Sequence, residues 1–386
     1  MDFELSERQR IVQETARDLA QKDLEPRAAE MDKMGELSLE VVKKMGELNL
    51  LGLTLPPPLG GIGLDTVSFA IAIEELSAAY ASTGLFLTAH TMASFAILAF
   101  GQDPIKPKYL PDLASGKKIG AFAVCEPNAG TMLDIPRIQT FAERQTDGYK
   151  INGTKNWISN QETADVYVVL VKTKRSGSPQ ALSLIVLEKG TPGLSFGKKE
   201  DKLGLKGDRV GELVFNDCSI PSENLFASEG GGLEPAMAAG GLGAIGVGAT
   251  AVGIGKACLD ASIGYAKERE AFGTSISNFQ AIQLMISDMK VAVETARLAV
   301  YRAAWGIDQK DKSPVNIWVA RLLATEMANR VAGWAHRIYG TYGYSSEYPI
   351  ERYSRDARGL SFVYGTQEFI KILLGKTLMG IPLFSA

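Results

Sequence analysis

The chain has 386 residues, more than a single hydrophobic core usually organises, so we expect two or three domains. Apolar residues make up 46% of the chain and charged residues 22%, an ordinary globular composition that excludes a mostly disordered or fibrous protein. The formal net charge of −3 creates no field that would collect nucleic acid or anionic lipid, so neither is an expected partner.

The few cysteines and histidines limit the available chemistry. Three cysteines without a C-x-x-C pair predict neither a disulfide framework nor a thiolate metal site. His90 and His336 are the two histidines, too few for a multi-histidine metal site, so no metal is expected. Redox chemistry here would need an organic cofactor. The acidic N-terminal segment lacks the pattern of a secretory signal, which predicts a cytoplasmic location.

The first third of the chain has a helical period. From Ser6 to about Gly101, apolar residues recur at a spacing of three to four, which predicts helices interrupted by a Pro- and Gly-rich loop at 56–61. The residues that define this period are Ile11, Ala16, Leu19, Ala20, Val41, Val42, Met45, Leu48 and Leu51. We therefore predict an N-terminal helical domain over residues 1–117.

The middle third changes to a period of two. Runs rich in β-branched residues at 167–171, 182–186 and 212–215 predict strands. The turn signals between them are Asp147-Gly148, Asn152-Gly153 and Pro192-Gly193. This pattern predicts an antiparallel β-domain over residues 118–230.

Helices return in the last third, and we predict a C-terminal helical domain over residues 231–386. Ile282, Ile286, Met289 and Val293 mark one face of a long helix, and Ser313-Pro314 indicates an N-cap followed by Pro at the first helical position. The predicted fold class is therefore α+β, with the order α, then β, then α.

The segment 235–255 carries no charge and is long enough to cross a bilayer. It is mostly Gly and Ala and weakly hydrophobic, so we predict a buried helix and no membrane contact. Residues 246–251 also match the G-x-G-x-x-A dinucleotide fingerprint, but no strand pattern precedes them. Close packing of two helices is the favoured interpretation.

Several short motifs follow one another in an order that identifies a family. They are 126–131 (EPNAGT), 152–160 (NGTKNWISN), 269–273 (REAFG), 339–344 (YGTYGY), 347–352 (EYPIER), 355–357 (RDA) and 365–368 (GTQE). Together they resemble the acyl-CoA dehydrogenases over nearly the whole chain. The resemblance implies a helical domain, an antiparallel β-domain and a C-terminal four-helix bundle that assembles into a homotetramer.

The resemblance also implies FAD bound between the β-domain and the C-terminal bundle. Trp157 would stack on the isoalloxazine ring, although a half-buried strand aromatic is the alternative, and the Ser159 hydroxyl would lie near flavin N5. The other residues implied to contact the flavin ring and phosphates are Val124, Cys125, Gly130 and Thr131.

A second set of FAD-binding positions lies in the C-terminal third. The residues that match positions reaching the FAD of a neighbouring subunit are Arg269, Phe272, Phe279 and Gln280. Further cofactor positions are Arg337, Gly340 and Thr341, followed by Thr366 and Glu368 in the last FAD-binding turn. Considered alone, Arg269 would be a solvated helix-end charge and Glu368 a surface carboxylate.

Four of these positions depart from the family pattern without removing the flavin site. Cys125 and Ser159 stand where Thr is usual, Arg337 where Gln is usual, and Thr341 where Gly is usual. Serine keeps the hydroxyl donor and cysteine is a weaker one. Arginine beside the pyrophosphate adds a charge-assisted contact.

The family's catalytic base has no obvious counterpart here. Tyr364 occupies the position of the usual glutamate in a Tyr-Glu-Gly-Thr segment, and Gly243 occupies the alternative position on the helix before the Arg-x-x-Phe-Gly motif. The arginine that often follows the second position, near the CoA, falls at Ala244. The resemblance therefore implies an active site without its usual glutamate.

Tyr364 is a candidate catalytic residue of another kind. A phenol with an ordinary pKa near 10 is a poor base but can donate a proton to a carbanion. Alternatively, its ring simply fills the acyl pocket. His90, on the helix that lines this pocket in the family, is a second candidate, with a core or surface histidine as the alternative.

The leading hypothesis is an FAD oxidoreductase that forms or reduces the α,β double bond of an acyl-CoA thioester, with an electron-transferring flavoprotein as redox partner. The second is a non-oxidative lyase that expels CO2 or sulfinate from the β-carbon of an acyl-CoA. The third is a non-catalytic flavoprotein subunit of a hetero-oligomer. Turnover with and without an electron acceptor separates these functions.

Overall fold

The computed structural model describes residues 4–131, 133–311 and 313–383. Its N-terminal part is helical, as predicted, and α1 begins at a capping box in which Ser6 and Gln9 pair reciprocally. Val12 is buried on α1, whereas Ile11 is 56% exposed, so the assignment of Ile11 to the core face is wrong by one position. The helices are α1 (Glu7–Leu19), α2 (Ala28–Met34), α3 (Leu39–Glu47), α4 (Thr66–Ala79), α5 (Ala81–Phe100) and α6 (Ile105–Ala114).

The middle part is a β-sheet. Its strands are β1 (Gly120–Ala123), β2 (Phe141–Arg144), β3 (Gly148–Ser159), β4 (Val166–Lys172), β5 (Leu182–Glu188), β6 (Leu194–Lys199), β7 (Val210–Pro221) and β8 (Leu225–Phe226). The order across the sheet is β6-β7-β3-β2-β4-β5-β8, and β1 pairs with β4. Most pairings are antiparallel, but β1 and β4 are parallel because a long connection through β2 and β3 brings the chain back to the same end.

The signal at Asn152-Gly153 is not a turn. The strand β3 continues through it, and its register with β7 slips between Ile151 and Gly153. Gly153 has φ of +142°, and a Cβ there would lie 2.6 Å from the Cα of Thr140. The glycine therefore forms a bulge at a close backbone contact, which carries the same local sequence signal as a hairpin turn.

The C-terminal part is helical apart from a short hairpin. Its elements are α7 (Leu233–Glu268), β9 (Glu270–Ala271), β10 (Thr274–Ser275), α8 (Gln280–Asp308), α9 (Val315–Tyr339), α10 (Ile350–Leu360) and α11 (Gln367–Leu378). The helix α9 has Pro314 as its N-cap, and the Ser313 hydroxyl accepts from the Val315 amide at 3.4 Å. The predicted start of α9 was therefore one residue too early.

The Gly- and Ala-rich helix α7 crosses the interior and packs on α4, α5, α8 and α9. A Cβ on Gly246 would lie 2.2 Å from Oγ1 of Thr88, and one on Gly253 would lie 2.5 Å from the carbonyl oxygen of Glu74. The small residues therefore allow close approach of helices. By length and composition α5 and α7 are both apolar enough to cross a membrane, but 78% of the most apolar window of each is buried inside the protein.

Candidate functional site

A buried ion pair anchors the segment 124–131 that follows β1. Lys155, fully buried on β3, donates to the Glu126 carboxylate at 2.8 Å and to the Val124 carbonyl at 3.0 Å. Glu126 also accepts from the backbone amides of Gln139 and Thr140, at 2.6 and 3.1 Å. Because every member of this group is paired, the loop is held rigidly against the end of β3.

Trp157 stands out from the sheet beside this loop. It has φ of +56° and lies at a register shift between Lys155 and Ile158, where β3 and β7 lose their regular pairing. The indole is 56% exposed, which differs from the half-buried strand aromatic considered above. Cys125 and Gly130 are adjacent to it through the loop, and a Cβ on Gly130 would meet no atom within 4 Å. An exposed indole beside an open loop suits stacking of a planar ring system.

Tyr364 is held from behind by a buried arginine. The Arg321 guanidinium donates to the carbonyl of Val363 at 2.5 Å, to that of Tyr364 at 3.4 Å, and to that of Gly365. Burial lowers the pKa of Arg321 to about 10. Tyr364 itself has φ of +54°, an uncommon conformation for a bulky residue, so the arginine fixes the turn in a strained state that aims the phenol inward.

Gly243 on α7 lies directly opposite the ring of Tyr364. A Cβ on Gly243 would lie 3.3 Å from Cδ2 of Tyr364 and 2.6 Å from the sulfur of Met92 on α5. The structure thus brings together the two positions at which the family resemblance places a base. Met92 and His90 both lie on α5, but Met92 is the one that lies next to Gly243.

The Tyr364 hydroxyl is buried and has no hydrogen-bond partner among the described residues. Burial raises its pKa well above the usual value, and the Ser159 hydroxyl opposes the shift. Ser159 in turn donates to the Asp208 carboxylate at 2.9 Å. The phenol therefore stays protonated and lies next to a hydroxyl and a carboxyl group.

His90 is fully buried and accepts at Nδ1 from the Gly120 amide at 3.2 Å, on the β1 side of α5. Burial lowers its pKa to about 4, so the imidazole is neutral. His90 therefore lies in the core, with a buried Nε2 that has no hydrogen-bond partner among the described residues. The hydrogen bond from Gly120 positions β1 against α5 and involves neither Tyr364 nor Ser159.

The second set of FAD positions lies at the end of the helical domain, on the surface. The guanidinium of Arg269 lies over the ring of Tyr342 at 5.7 Å, and Phe272, which is 98% exposed, meets the edge of Phe279 at 6.3 Å. The remaining exposed members of this set are Gln280, Arg337, Gly340 and Thr341. None of the described contacts joins this set to Trp157 or Tyr364 within one chain.

The last pair of FAD positions lies at the start of α11. The Thr366 side chain caps this helix by accepting from the Phe369 amide at 3.2 Å, and Glu368 is exposed in the first turn. Arg321 bonds to the Gly365 carbonyl immediately before the cap. The turn that carries Tyr364 and the N-terminus of α11 are therefore one connected unit.

Sequence reasoning missed three groups in this region: Asp208, Arg321 and the Lys155–Glu126 pair. Asp208 follows a glycine in a polar turn and Arg321 lies in an amphipathic helix, patterns typical of solvated side chains. Lys155 and Glu126 belong to recognised motifs. The position of Lys155 within the strand β3 was a signal that its charge could be buried and paired. No cluster of three or more His, Cys, Asp or Glu side chains that could hold a metal ion occurs in the described part of the chain.

Three family descriptions match consecutive parts of the chain. They are the acyl-CoA dehydrogenase N-terminal domain at residues 6–117, the middle domain at 121–218 and the C-terminal domain at 230–379. The chain belongs to the acyl-CoA dehydrogenase family. As a member it is an FAD-dependent oxidoreductase of the acyl-CoA class with the fold of that family.

The similarity to known acyl-CoA dehydrogenases extends over nearly the whole length. The chain is 40% identical over 375 residues to a short-chain specific acyl-CoA dehydrogenase of Clostridium acetobutylicum, covering 97% of this chain and 98% of that one. It is 38% identical to an acryloyl-CoA reductase (NADH) of Anaerotignum propionicum, covering 98% and 96%. The solved butyryl-CoA dehydrogenase of Megasphaera elsdenii superposes with a TM-score of 0.95 at 37% identity, covering 98% and 100%.

The residues around Trp157 fit FAD on the geometry described here. The indole is exposed, Gly130 leaves open space, and the Val124–Cys125 backbone is anchored by Lys155 and by the Asn156 amide, which donates to the Cys125 carbonyl at 3.0 Å. An acyl-CoA dehydrogenase would therefore hold the flavin ring against Trp157 and the 124–131 loop.

Proposed function

We propose that this acyl-CoA dehydrogenase homologue acts at the α,β bond of a short-chain acyl-CoA thioester in the reducing direction, with Tyr364 as proton donor to the α-carbon. The proposal depends on the buried Tyr364 hydroxyl, which belongs to the residue opposite Gly243. Burial raises the pKa of this phenol. Removing an α-proton requires a base. A phenol that stays protonated is an acid, so the glutamate-free site favours protonation.

Bound FAD would supply the two electrons and the hydrogen that the β-carbon gains. The chain itself contributes orientation and the proton. Trp157 and the 124–131 loop would position the ring, while Arg321 holds the turn that aims Tyr364. Transfer of the Tyr364 hydroxyl proton to the α-carbon is favourable because a thioester α-carbanion is far more basic than a phenolate.

A short acyl chain fits the packing around Gly243. Met92 and Tyr364 occupy the volume next to this glycine, which favours a short acyl group. The names of the relatives from Clostridium and Anaerotignum, which specify short-chain and acryloyl substrates, support the same proposal.

We also propose an electron-transferring flavoprotein as redox partner, which rests on the family resemblance, and a cytoplasmic location. A homotetramer is supported by the surface of α8. Leu284, Val291, Leu298 and Trp305 are spaced by seven residues along this helix and are each more than half exposed. Such an apolar stripe on a helix is typical of a surface that packs on another subunit.

The test is product analysis with purified protein and a panel of short acyl-CoA and enoyl-CoA thioesters. Reduction of an enoyl-CoA with dithionite as electron donor in D2O should place one deuterium at the α-carbon, and Tyr364→Phe should slow this by about 10²–10⁴-fold. The protein should also carry about one FAD per subunit. An unchanged rate in Tyr364→Phe would remove the proposed role of the phenol.

A lyase remains the second candidate, because the lack of a carboxylate at positions 243 and 364 equally suits a reaction that forms its carbanion without a base. It predicts release of CO2 or sulfinate without any electron donor or acceptor. Turnover of a β-carboxyl or β-sulfino acyl-CoA under those conditions would replace the reductase proposal.

A further inference from the structure

A buried carboxyl group lies behind the candidate site and has no role in the mechanism so far. Asp208, 3% exposed, belongs to the turn before β7. Its Oδ2 accepts from the Ser159 hydroxyl at 2.9 Å. Its Oδ1 is buried and has no hydrogen-bond partner among the described residues. A carboxylate with an unpaired buried oxygen is costly, so the site favours a protonated carboxyl group.

The surroundings of Asp208 shift its pKa in opposite directions. Burial raises its pKa, and the Lys202 ammonium, the Ser159 hydroxyl and the Asn160 backbone amide oppose the shift. Lys202 is partly exposed and donates to the backbone carbonyl of Asp208 at 2.5 Å. The carboxyl group can therefore hold a proton, and the carboxylate that remains after its loss has a nearby cation that is itself partly exposed to solvent.

The turn that carries Asp208 is fixed on both sides. The Leu205 amide donates to the buried Asp356 on α10 at 2.5 Å, and the Gly207 amide donates to Ser82 on α5 at 3.1 Å. A Cβ on Gly207 would lie 2.5 Å from the Tyr80 hydroxyl, so the turn packs closely against Tyr80. Asp208 is thus held in place opposite Ser159 by elements of both helical parts.

Ser159 connects this carboxyl group to the phenol. The Ser159 hydroxyl and the Asp208 charge are among the groups that act on the Tyr364 hydroxyl, and the Cys125 thiol is the other titratable neighbour. A hydroxyl can accept one proton while donating another, which makes Ser159 a suitable bridge. Phenol, hydroxyl and carboxyl therefore form a buried series in which two members have unused hydrogen-bonding capacity.

We propose that Asp208 returns a proton to Tyr364 through Ser159 after each turnover, an inference that rests on the proposed role of Tyr364 as proton donor. The Tyr364 O–H bond breaks as the α-carbon gains its C–H bond, leaving a phenolate. The phenolate takes the Ser159 hydroxyl proton as that hydroxyl turns from Asp208 to Tyr364, and the Ser159 oxygen then takes the carboxyl proton from Oδ2 of Asp208, the oxygen that faces it. Asp208 remains as a carboxylate beside Lys202 and regains a proton from solvent. Asp208 is thus a positioning residue that acts through Ser159.

Rapid-quench kinetics of enoyl-CoA reduction with excess dithionite tests the relay. In Asp208→Asn the first turnover uses the proton already on Tyr364, so we expect a burst of about one product per site at the wild-type rate. Later turnovers should be slower by on the order of 10²-fold, the lower end for positioned proton transfer. Asp201→Asn, an exposed aspartate in the same segment, is the matched control and should resemble the wild type.

Two further measurements keep the test independent of folding and of flavin. Ser159→Ala should lose the later turnovers, and Ser159→Thr, which keeps the hydroxyl, should restore them. Infrared spectroscopy of the FAD-free protein should show a protonated-carboxyl band near neutral pH that is missing in Asp208→Asn.

The outcomes separate the two proposals. If Tyr364→Phe is slow while Asp208→Asn and Ser159→Ala turn over normally, the relay is refuted and the reductase proposal stands. A variant of Asp208 that is slow from the first turnover also overturns the relay, because it indicates a merely structural role. If Tyr364→Phe is itself unaffected, the proposed function fails and the relay fails with it.

Discussion

The buried Lys155–Glu126 pair provides a direct test of how the flavin loop is held. In Lys155→Met the aliphatic part of the side chain is kept and the ammonium is lost. Breaking one side of a buried pair costs about 3–5 kcal/mol, because the remaining charge stays uncompensated. Glu126 keeps the Gln139 and Thr140 amides at 2.6 and 3.1 Å, so we expect a loss near the lower end, about 3 kcal/mol at neutral pH.

The pH dependence of that loss follows from the sign of the pKa shift. Burial acts to raise the pKa of Glu126, but Lys155 and the donors from Gln139 and Thr140 outweigh it, so the pKa is lowered in the folded protein. A lowered carboxyl pKa contributes stability above the unfolded value, and this is lost as pH falls through the folded value. Without Lys155 the burial effect gains weight and the pKa rises. Protonation of Glu126 in the variant then removes the uncompensated charge.

Urea unfolding of wild type and Lys155→Met at pH about 7.5 and about 4.5 measures this difference, with the two proteins compared at each pH. The destabilisation should shrink by at least about half at the lower pH. Lys198→Met, which removes an exposed pair with Glu200, is the control and should change stability little at either pH. A loss below about 1 kcal/mol at neutral pH, or an equal loss at both pH values, would refute the reasoning.

Other substitutions test the packing and the site. Gly246→Ala should cost about 1–3 kcal/mol in urea unfolding because its Cβ would meet the Thr88 hydroxyl at 2.2 Å, whereas Gly264→Ala, with open space in the same helix, should be neutral or slightly stabilising. Arg269→Ala should weaken both FAD retention and the oligomer, and an unchanged tetramer with full flavin on gel filtration would contradict that role. Tyr364→Glu should raise acyl-CoA oxidation with an artificial acceptor by about 10²-fold or more, increasingly toward alkaline pH because burial raises the pKa of a carboxyl, and no gain at any pH would count against the missing-base interpretation.

The order of helices and strands could be predicted because each depends on a local period. The apolar spacing in α8 and the β-branched run of β4 mark their elements without any tertiary information. The bulge at Gly153 and the parallel pairing of β1 with β4 could not be predicted, because both depend on contacts with strands distant in sequence. A glycine after an asparagine has the same appearance in a hairpin turn and in a bulge.

The residues of the candidate site likewise divide into those that a local motif predicts and those that only the folded structure reveals. Motifs located Trp157, Ser159 and Tyr364, because each belongs to a short segment with a recognisable order. Asp208 lies 49 positions from Ser159, and nothing in its own segment distinguishes it from a solvated turn residue. Asp208 is distinguished by its burial and by an Oδ1 without a hydrogen-bond partner among the described residues, and both are properties of the folded chain.

The residues at 243 and 364 are best understood as one packing arrangement. Any side chain at Gly243 would displace the Met92 sulfur, 2.6 Å from its Cβ, or the Tyr364 ring at 3.3 Å. A side chain at 243 would therefore require the end of Met92 to move and the Tyr364 ring to shift by a few tenths of an ångström, so the residues at 243 and 364 are coupled through their packing. Gly243 packs at the Tyr364 ring, whereas Ser159 and Asp208 act on its hydroxyl, so the packing side and the proton side of this residue are separate.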